Sequence, residues 1–346
     1  MAEARGDHPI IDQAHRIADE VLFPAANEVD QTGVVPPEHW DLLAREGFYG
    51  LAGSTTASGL DFAGIAEVLE ALAGGCLSTT FTWMQHNGAV MSVQATDNAP
   101  LREEYLDGLV AGSVRAGVAF AGALPTPPRL WATKVPEGYV LDGEAPFVSG
   151  WGVVDVLQVS ARDRAAEAEG GVIVSGLIDA RAGEHLSVDE LRLVAGQGTN
   201  TVGLHFDAYL LPTERITGSA PLGRFQALQS FGSRLNGCVA CGIARRAIRL
   251  LDERGRTEAA RSLRGQLERV RSDLDRGLVD ATTLPASRAA AADVALRAAG
   301  ALVAATGSSA VLAGQTAQRL LREACFALVA ASRPDMRSEL ESLLAR

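Results

Sequence analysis

Thr306-Gly307-Ser308, Leu321-Arg322-Glu323-Ala324 and Val329-Ala330-Ala331-Ser332 belong to the stretch on which the reading of this chain turns. Between the glycine and the closing alanines, Thr316–Ala331 places its apolar residues at helical spacing, which predicts an amphipathic helix. Three more such segments precede it: Leu228–Glu253, Leu263–Leu278 and the alanine-rich Ala286–Ala305. Long helices with apolar stripes bury them by packing side by side. Residues 219–346 are therefore expected to form a four-helix bundle.

Upstream the texture changes. Val118-Ala119-Phe120, Tyr139-Val140-Leu141, Val153–Ser160, Val172–Leu177 and Val202–Phe206 are short β-rich runs separated by Gly, Pro and Asp. They give residues 113–218 the character of a strand-built domain. Pro125, Pro127 and Pro128 interrupt the chain after the first run. The charged run Arg162–Glu169 reads as a solvated hairpin tip. Residues 1–112 are expected to be helical throughout. Apolar residues at 10, 11, 14, 17, 18, 21 and 22 keep a helix period. Pro36-Pro37 opens a second helix that Gly47 ends, with Trp40, Leu43 and Ala44 on one side. Asp61–Ala73 and Leu101–Val110 add two more. The fold class is α+β, in the order helices, strands, helices.

Composition narrows the function. The chain has 346 residues, enough for a large buried core, and a net charge of −11. Nucleic-acid binding needs a basic surface, and so does polybasic membrane docking, so neither is expected. The acidic, polar N-terminus does not have the pattern of a signal peptide, and the apolar run Ala298–Ala305 is too short to span a bilayer. Four scattered cysteines do not make a disulfide framework. Cys238 and Cys241 form a C-x-x-C inside an apolar helical run, which suits core thiols better than a metal or redox site. No metal is expected, and a cytoplasmic location fits best.

Five local patterns resemble the acyl-CoA dehydrogenase family, in the family's order. They are His39-Trp40 with Leu43 and Glu46–Gly50; Tyr139-Val140-Leu141-Asp142-Gly143-Glu144; Phe147-Val148-Ser149; Leu204–Asp207 with Leu211–Arg215; and Arg234 ahead of Gly242. The closing stretch is similar to the family's glycine pair, its Arg-Asp-Ala and its last helices. The resemblance covers nearly the whole chain. It implies an N-terminal helical domain, a central β-barrel-like domain and a C-terminal four-helix bundle, with FAD between the last two. An extended backbone and a covering ring suit a flat heterocycle. Phe147, Ser149 and Trp151 are the candidates for that end; Phe147 equally suits core packing, and Ser149 a turn hydroxyl. Arg254 (or Arg256) with Gln266 match the Arg and Gln that, in the family, reach the FAD pyrophosphate and adenosine from a neighbouring subunit, and Gly307 with Ser308 match its glycine pair. Trp83 and Arg234 are the candidates for the substrate side.

Three departures stand beside the resemblance. The family's catalytic Glu falls at Ala331, and the alternative station, Phe231-Gly232-Ser233-Arg234, carries no carboxylate either. Glu323 takes the Asp position of the Arg-Asp-Ala motif and is expected to form an ion pair with Arg322 or a neighbour. The loop that touches flavin and acyl-CoA in the family reads Ala123-Leu124-Pro125-Thr126-Pro127-Pro128 here, without Ser or Asp. His86, in Thr82–Asn87, resembles a pocket histidine of flavin monooxygenases with this fold and is the one catalytic candidate. It equally suits a helix-end role bonded to backbone. The leading expectation is an FAD-dependent, acyl-CoA dehydrogenase-like oxidoreductase of fatty acid metabolism, carrying out α,β-dehydrogenation of an acyl thioester. It would work in a dimer or tetramer of like or unlike subunits and pass electrons to an acceptor flavoprotein. The alternatives are a flavin-dependent monooxygenase and a non-catalytic flavoprotein subunit.

Overall fold

The computed structural model describes residues 8–53, 59–331 and 333–345, apart from the side chains at 229–231. The first helix, α1 (Pro9–Arg16), runs through a π-helical turn at Ile17–Leu22 into α2 (Phe23–Thr32), which Gly33 ends in the left-handed conformation. Next come α3 (Pro37–Arg45), α4 (Phe62–Ala73), α5 (Leu77–Ala95) and α6 (Ala99–Ala111). Asp61 caps α4 by accepting from the Gly64 N–H at 2.8 Å, so the helix starts one residue later than its pattern predicts.

Eight strands follow: β1 (Ala116–Ala119), β2 (Leu130–Val135), β3 (Gly138–Val148), β4 (Val156–Asp163), β5 (Val172–Asp179), β6 (Leu186–Glu190), β7 (Val202–Pro212) and β8 (Ile216–Pro221). They form one sheet in the order β6-β7-β3-β2-β4-β5-β8, with β1 parallel to β4. Strands β6 and β8 lie at the ends of this hydrogen-bonded path. Leu141, Ala145, Leu157, Val159, Leu204 and Phe206 fill its core.

The last domain contains α7 (Leu222–Glu253), α8 (Thr257–Val279), α9 (Leu284–Thr306), α10 (Thr316–Val329) and α11 (Pro334–Leu344). The first four are the expected bundle; α11 packs on α9 and was not anticipated. Helix α10 stops two residues short of its predicted end, because Ala331 turns into the left-handed region at φ 51°. By length and composition, Ala281–Val311 would suffice to cross a membrane, which the short run at 298–305 does not convey. Its apolar side chains have another role here. Ala291, Ala295, Ala298, Ala299 and Leu302 are buried where α9 packs on α7, α8, α10 and α11.

The helical domains at the two ends of the chain share one core. Helix α7 crosses the end of α4 at Gly242, where an added Cβ would lie 2.4 Å from the Glu70 carbonyl oxygen and 2.8 Å from the Gly74 nitrogen. Only glycine permits that approach. Arginines seal the seam. Arg246 donates to the Gly74 carbonyl at 2.6 Å, pairs with Asp19 and lies 4.1 Å over the Phe23 ring. Arg322 pairs with Asp30 at 2.8 Å.

Candidate functional site

The candidate site is built around the end of β3. Pairing between β3 and β7 slips between Ala145 and Val148, which places Phe147 in the slip with φ at 54°. That conformation is uncommon for a bulky residue, and it leaves the ring 69% exposed. Ser149, two residues on, is buried. Its hydroxyl bonds Thr201 Oγ1 at 2.7 Å, and Thr201 Oγ1 in turn bonds Thr199 Oγ1 at 2.7 Å. The backbone N–H groups of Gly150 and Trp151 donate to the carbonyls of Thr199 and Asn200 at 2.8 and 3.1 Å. This turn is fixed before any ligand arrives. Trp151 is half-buried and packs against the β core, while Gly150 and Gly152 flank it at φ 93° and 77°. Phe225 of α7 meets Phe120 edge-on at 6.5 Å, which brings the start of α7 against the loop after β1.

The remaining predicted residues are scattered. Arg254, after α7, is exposed, and its guanidinium donates to its own helix at the Leu250 carbonyl, 3.2 Å away. Gln266 on α8 accepts from Arg297 of α9 at 2.5 Å, a link within the bundle. Gly307 and Ser308 are exposed in the 3-10 turn after α9. No hydrogen bond joins these four to the β3 turn among the described residues. Arg234 is buried and holds Asp275 of α8 at 2.7 Å and Cys238 Sγ at 2.9 Å. Trp83 lies in the core, edge-on to Phe48 at 6.3 Å. Both residues named for the substrate side thus face protein.

His86 is 1% exposed. The Ala116 N–H donates to Nδ1 at 3.0 Å, so the ring proton sits on Nε2, which donates to the Leu109 carbonyl at 3.0 Å. Burial pushes its pKa down to about 4, against the opposing pull of the Leu109 bond. The ring ties α5 to the end of α6 and the start of β1, and neither nitrogen is left for a substrate.

Ala331 is exposed in the turn between α10 and α11, and Ser332, which closes the quoted motif, lies outside the described residues. Three carboxylates among the described residues are buried, and an arginine holds each one: Glu70 with Arg271, Asp293 with Arg297 and Glu323 with Arg319. Burial raises the pKa of Glu323, and Arg319, 2.7 Å away, opposes the rise. Of the expected partners, Arg322 or a neighbour, it is the neighbour Arg319 that holds Glu323, while Arg322 turns to Asp30. On a helix the residue four positions back shares a face, whereas the immediate neighbour does not.

Sequence reasoning missed Arg162. The charged run is not wholly a solvated tip, because its first residue is 1% exposed and reaches back to the loop after β1. Its place beside buried Ala161, at the end of an apolar run, was the available signal.

Residues 7–113 match the family model for the acyl-CoA dehydrogenase N-terminal domain. Over 250 residues the chain is 26% identical to acryloyl-CoA reductase (NADH) of Anaerotignum propionicum, covering 68% of this chain and 62% of that protein. Its whole length superposes on butyryl-CoA dehydrogenase from Megasphaera elsdenii, with TM-score 0.84, 19% identity and all of both chains covered. The fold is that of the acyl-CoA dehydrogenases. PigA, solved with FAD and proline, shares it at TM-score 0.82 and 18% identity, over all of this chain and 99% of that one. The aligned segment spans less than two thirds of the curated relatives it matches, 65% and 62% of the first two.

For a flavin, the turn after β3 fits. It follows the open aromatic ring of Phe147, and the N–H groups of Gly150 and Trp151 in it are already paired. The nucleotide end is thinner. Arg254 and Ser308 are exposed, but Gln266 is engaged.

Proposed function

We propose that the chain is a member of the acyl-CoA dehydrogenase family. It binds FAD in the cleft between sheet and bundle and acts as an oxidoreductase on an acyl thioester, by α,β-dehydrogenation. The observation that carries this reading is Phe147. A large apolar ring is held open at positive φ where the protein gains nothing from it, and a flat ligand would cover it. Bound FAD would supply a two-electron acceptor. Phe147 would cover one face of its ring system, the Ser149–Trp151 turn would set the depth of the site, and Arg254 and Ser308 would meet the diphosphate end. An acceptor flavoprotein, a cytoplasmic location, assembly into a dimer or tetramer and a role in fatty acid metabolism belong to the same proposal.

Among the described residues, the three buried carboxylates are each paired with arginine, and the family's base position holds Ala331. That supports a heteromer in which the other subunit brings the base, with a non-catalytic flavoprotein subunit as the second reading. The monooxygenase reading drew on His86 and loses that support, since both ring nitrogens are bonded inside the fold.

Titration of the purified chain with FAD, followed by quenching of flavin fluorescence, tests the site. Saturable binding is expected, weakened about tenfold in Phe147→Ala, the equivalent of one aromatic contact. Absence of saturable binding to the wild type would overturn the reading. Equal binding by the variant would remove Phe147 from it.

A further inference from the structure

One buried arginine holds the loop between β1 and β2 from behind. Arg162, near the end of β4, donates through Nε and Nη2 to the Ala123 carbonyl at 3.2 and 2.7 Å. Nη2 also reaches the carbonyls of Leu124 at 3.5 Å and Pro125 at 3.3 Å. Nη1 donates to both carboxylate oxygens of Glu167, at 3.1 and 3.0 Å. A guanidinium is planar, with donors in fixed directions, so carbonyls that share one edge of it must converge. The loop has few donors of its own, since Pro125, Pro127 and Pro128 lack an N–H. Its base is tied by Arg129 N and Leu130 N to the Gly122 carbonyl, at 2.8 and 3.0 Å. Between that base and the exposed tip at Pro125-Thr126-Pro127, the curvature comes from Arg162.

The loop begins beside α7 and β3. Phe120, which leads into it, meets Phe225 of α7. Gly122 lies so close to β3 that an added Cβ would be 2.2 Å from the Glu144 carbonyl oxygen, and β3 reaches Phe147 three residues later. From Ala123 to Pro128 the loop has no ionisable side chain, only apolar groups and the Thr126 hydroxyl. Such a wall suits an uncharged acyl portion and not a phosphate.

We infer that Arg162, anchored by Glu167, is a positioning residue that fixes the Ala123–Pro128 loop as the wall aligning the acyl part of the thioester. The inference rests on the functional reading above. Arg162→Lys keeps the charge but not the planar fork, and Glu167→Gln leaves the arginine in place but loosens its anchor. The full-length, FAD-loaded protein is compared with both variants by hydrogen exchange and by octanoyl-CoA titration. Exchange at the hydrogen-bonded amides of the loop base, Ala123, Arg129 and Leu130, is expected to accelerate about tenfold in Arg162→Lys and less in Glu167→Gln, with the bundle unchanged. FAD affinity should stay within about twofold, while the dissociation constant for octanoyl-CoA rises about tenfold. Unchanged exchange in both variants would overturn the latch. A loosened loop with unchanged octanoyl-CoA binding would overturn its role as the wall. Wild-type protein that takes up no FAD, or binds FAD but no thioester, would refute the functional reading first and this inference with it.

Discussion

Acidification is expected to remove stability through His86, by an amount the structure sets. The imidazole is neutral and doubly bonded in the fold, and burial lowers its pKa from 6.5 to about 4. Between those values the unfolded chain binds a proton that the folded chain refuses. Stability from this residue is therefore complete above about pH 6.5, falls as the pH drops and is exhausted near pH 4. A shift of roughly 2.5 units corresponds to about 3 kcal/mol. Urea unfolding of wild type and His86→Gln at intervals from about pH 7.5 to 4 measures it. At neutral pH the variant should be less stable by about 2–4 kcal/mol, because the Ala116 N–H or the Leu109 carbonyl loses its partner inside the protein. The gap should shrink by about 3 kcal/mol on acidification. A gap that stays constant, or an imidazole that titrates near its ordinary value in the native protein, would refute the assignment. If the assignment holds, no limb of a pH–rate profile near neutrality belongs to His86.

The other expectations can be checked by single substitutions. Phe147→Gly relieves a positive φ without uncovering a core. The apoprotein should gain about 1 kcal/mol in thermal or urea unfolding while FAD affinity falls, and a loss of stability would show that the ring packs. Glu323→Gln leaves the Arg319 charge buried with its main partner neutralised and should cost about 3 kcal/mol by urea unfolding; a near-neutral result would mean that water reaches the pair. Ala331→Glu places a carboxylate at the family's base position. Flavin reduction by an acyl-CoA thioester should appear or quicken under anaerobic mixing, and thioester binding with no reduction would put the base station elsewhere.

Much of the fold was legible in the sequence because long apolar stripes and a change of period are local signals. The domain changes show it. Helix α6 ends at Ala111, β1 starts at Ala116 and α7 starts at Leu222, close to the changes of texture at 113 and 219. Elements that bury little were harder to read. Strand β6 is an edge with Leu186 as its buried residue, β8 carries Gly218 and Pro221, and α11 buries Met336 and Leu340. Strand β2 follows three prolines, and four of its six residues are not buried. Phe147 was named from its place in the family's pattern and Trp151 from the glycines beside it, but which of the two rings stays open depends on a slip in strand pairing that no local pattern records. The roles of His86 and Arg162 were hard to read for one reason. Each acts on partners distant in the chain, His86 on Leu109 and Ala116, and Arg162 on Ala123, so burial decides their roles.

The most direct test of the account is an anaerobic titration of the FAD-loaded protein with acyl-CoA thioesters, followed at the visible flavin band. Loss of the band with at least one thioester, in the chain alone or after a base-carrying subunit is added, is the predicted result. A band that persists against every thioester under both conditions would contradict an oxidoreductase acting on acyl thioesters.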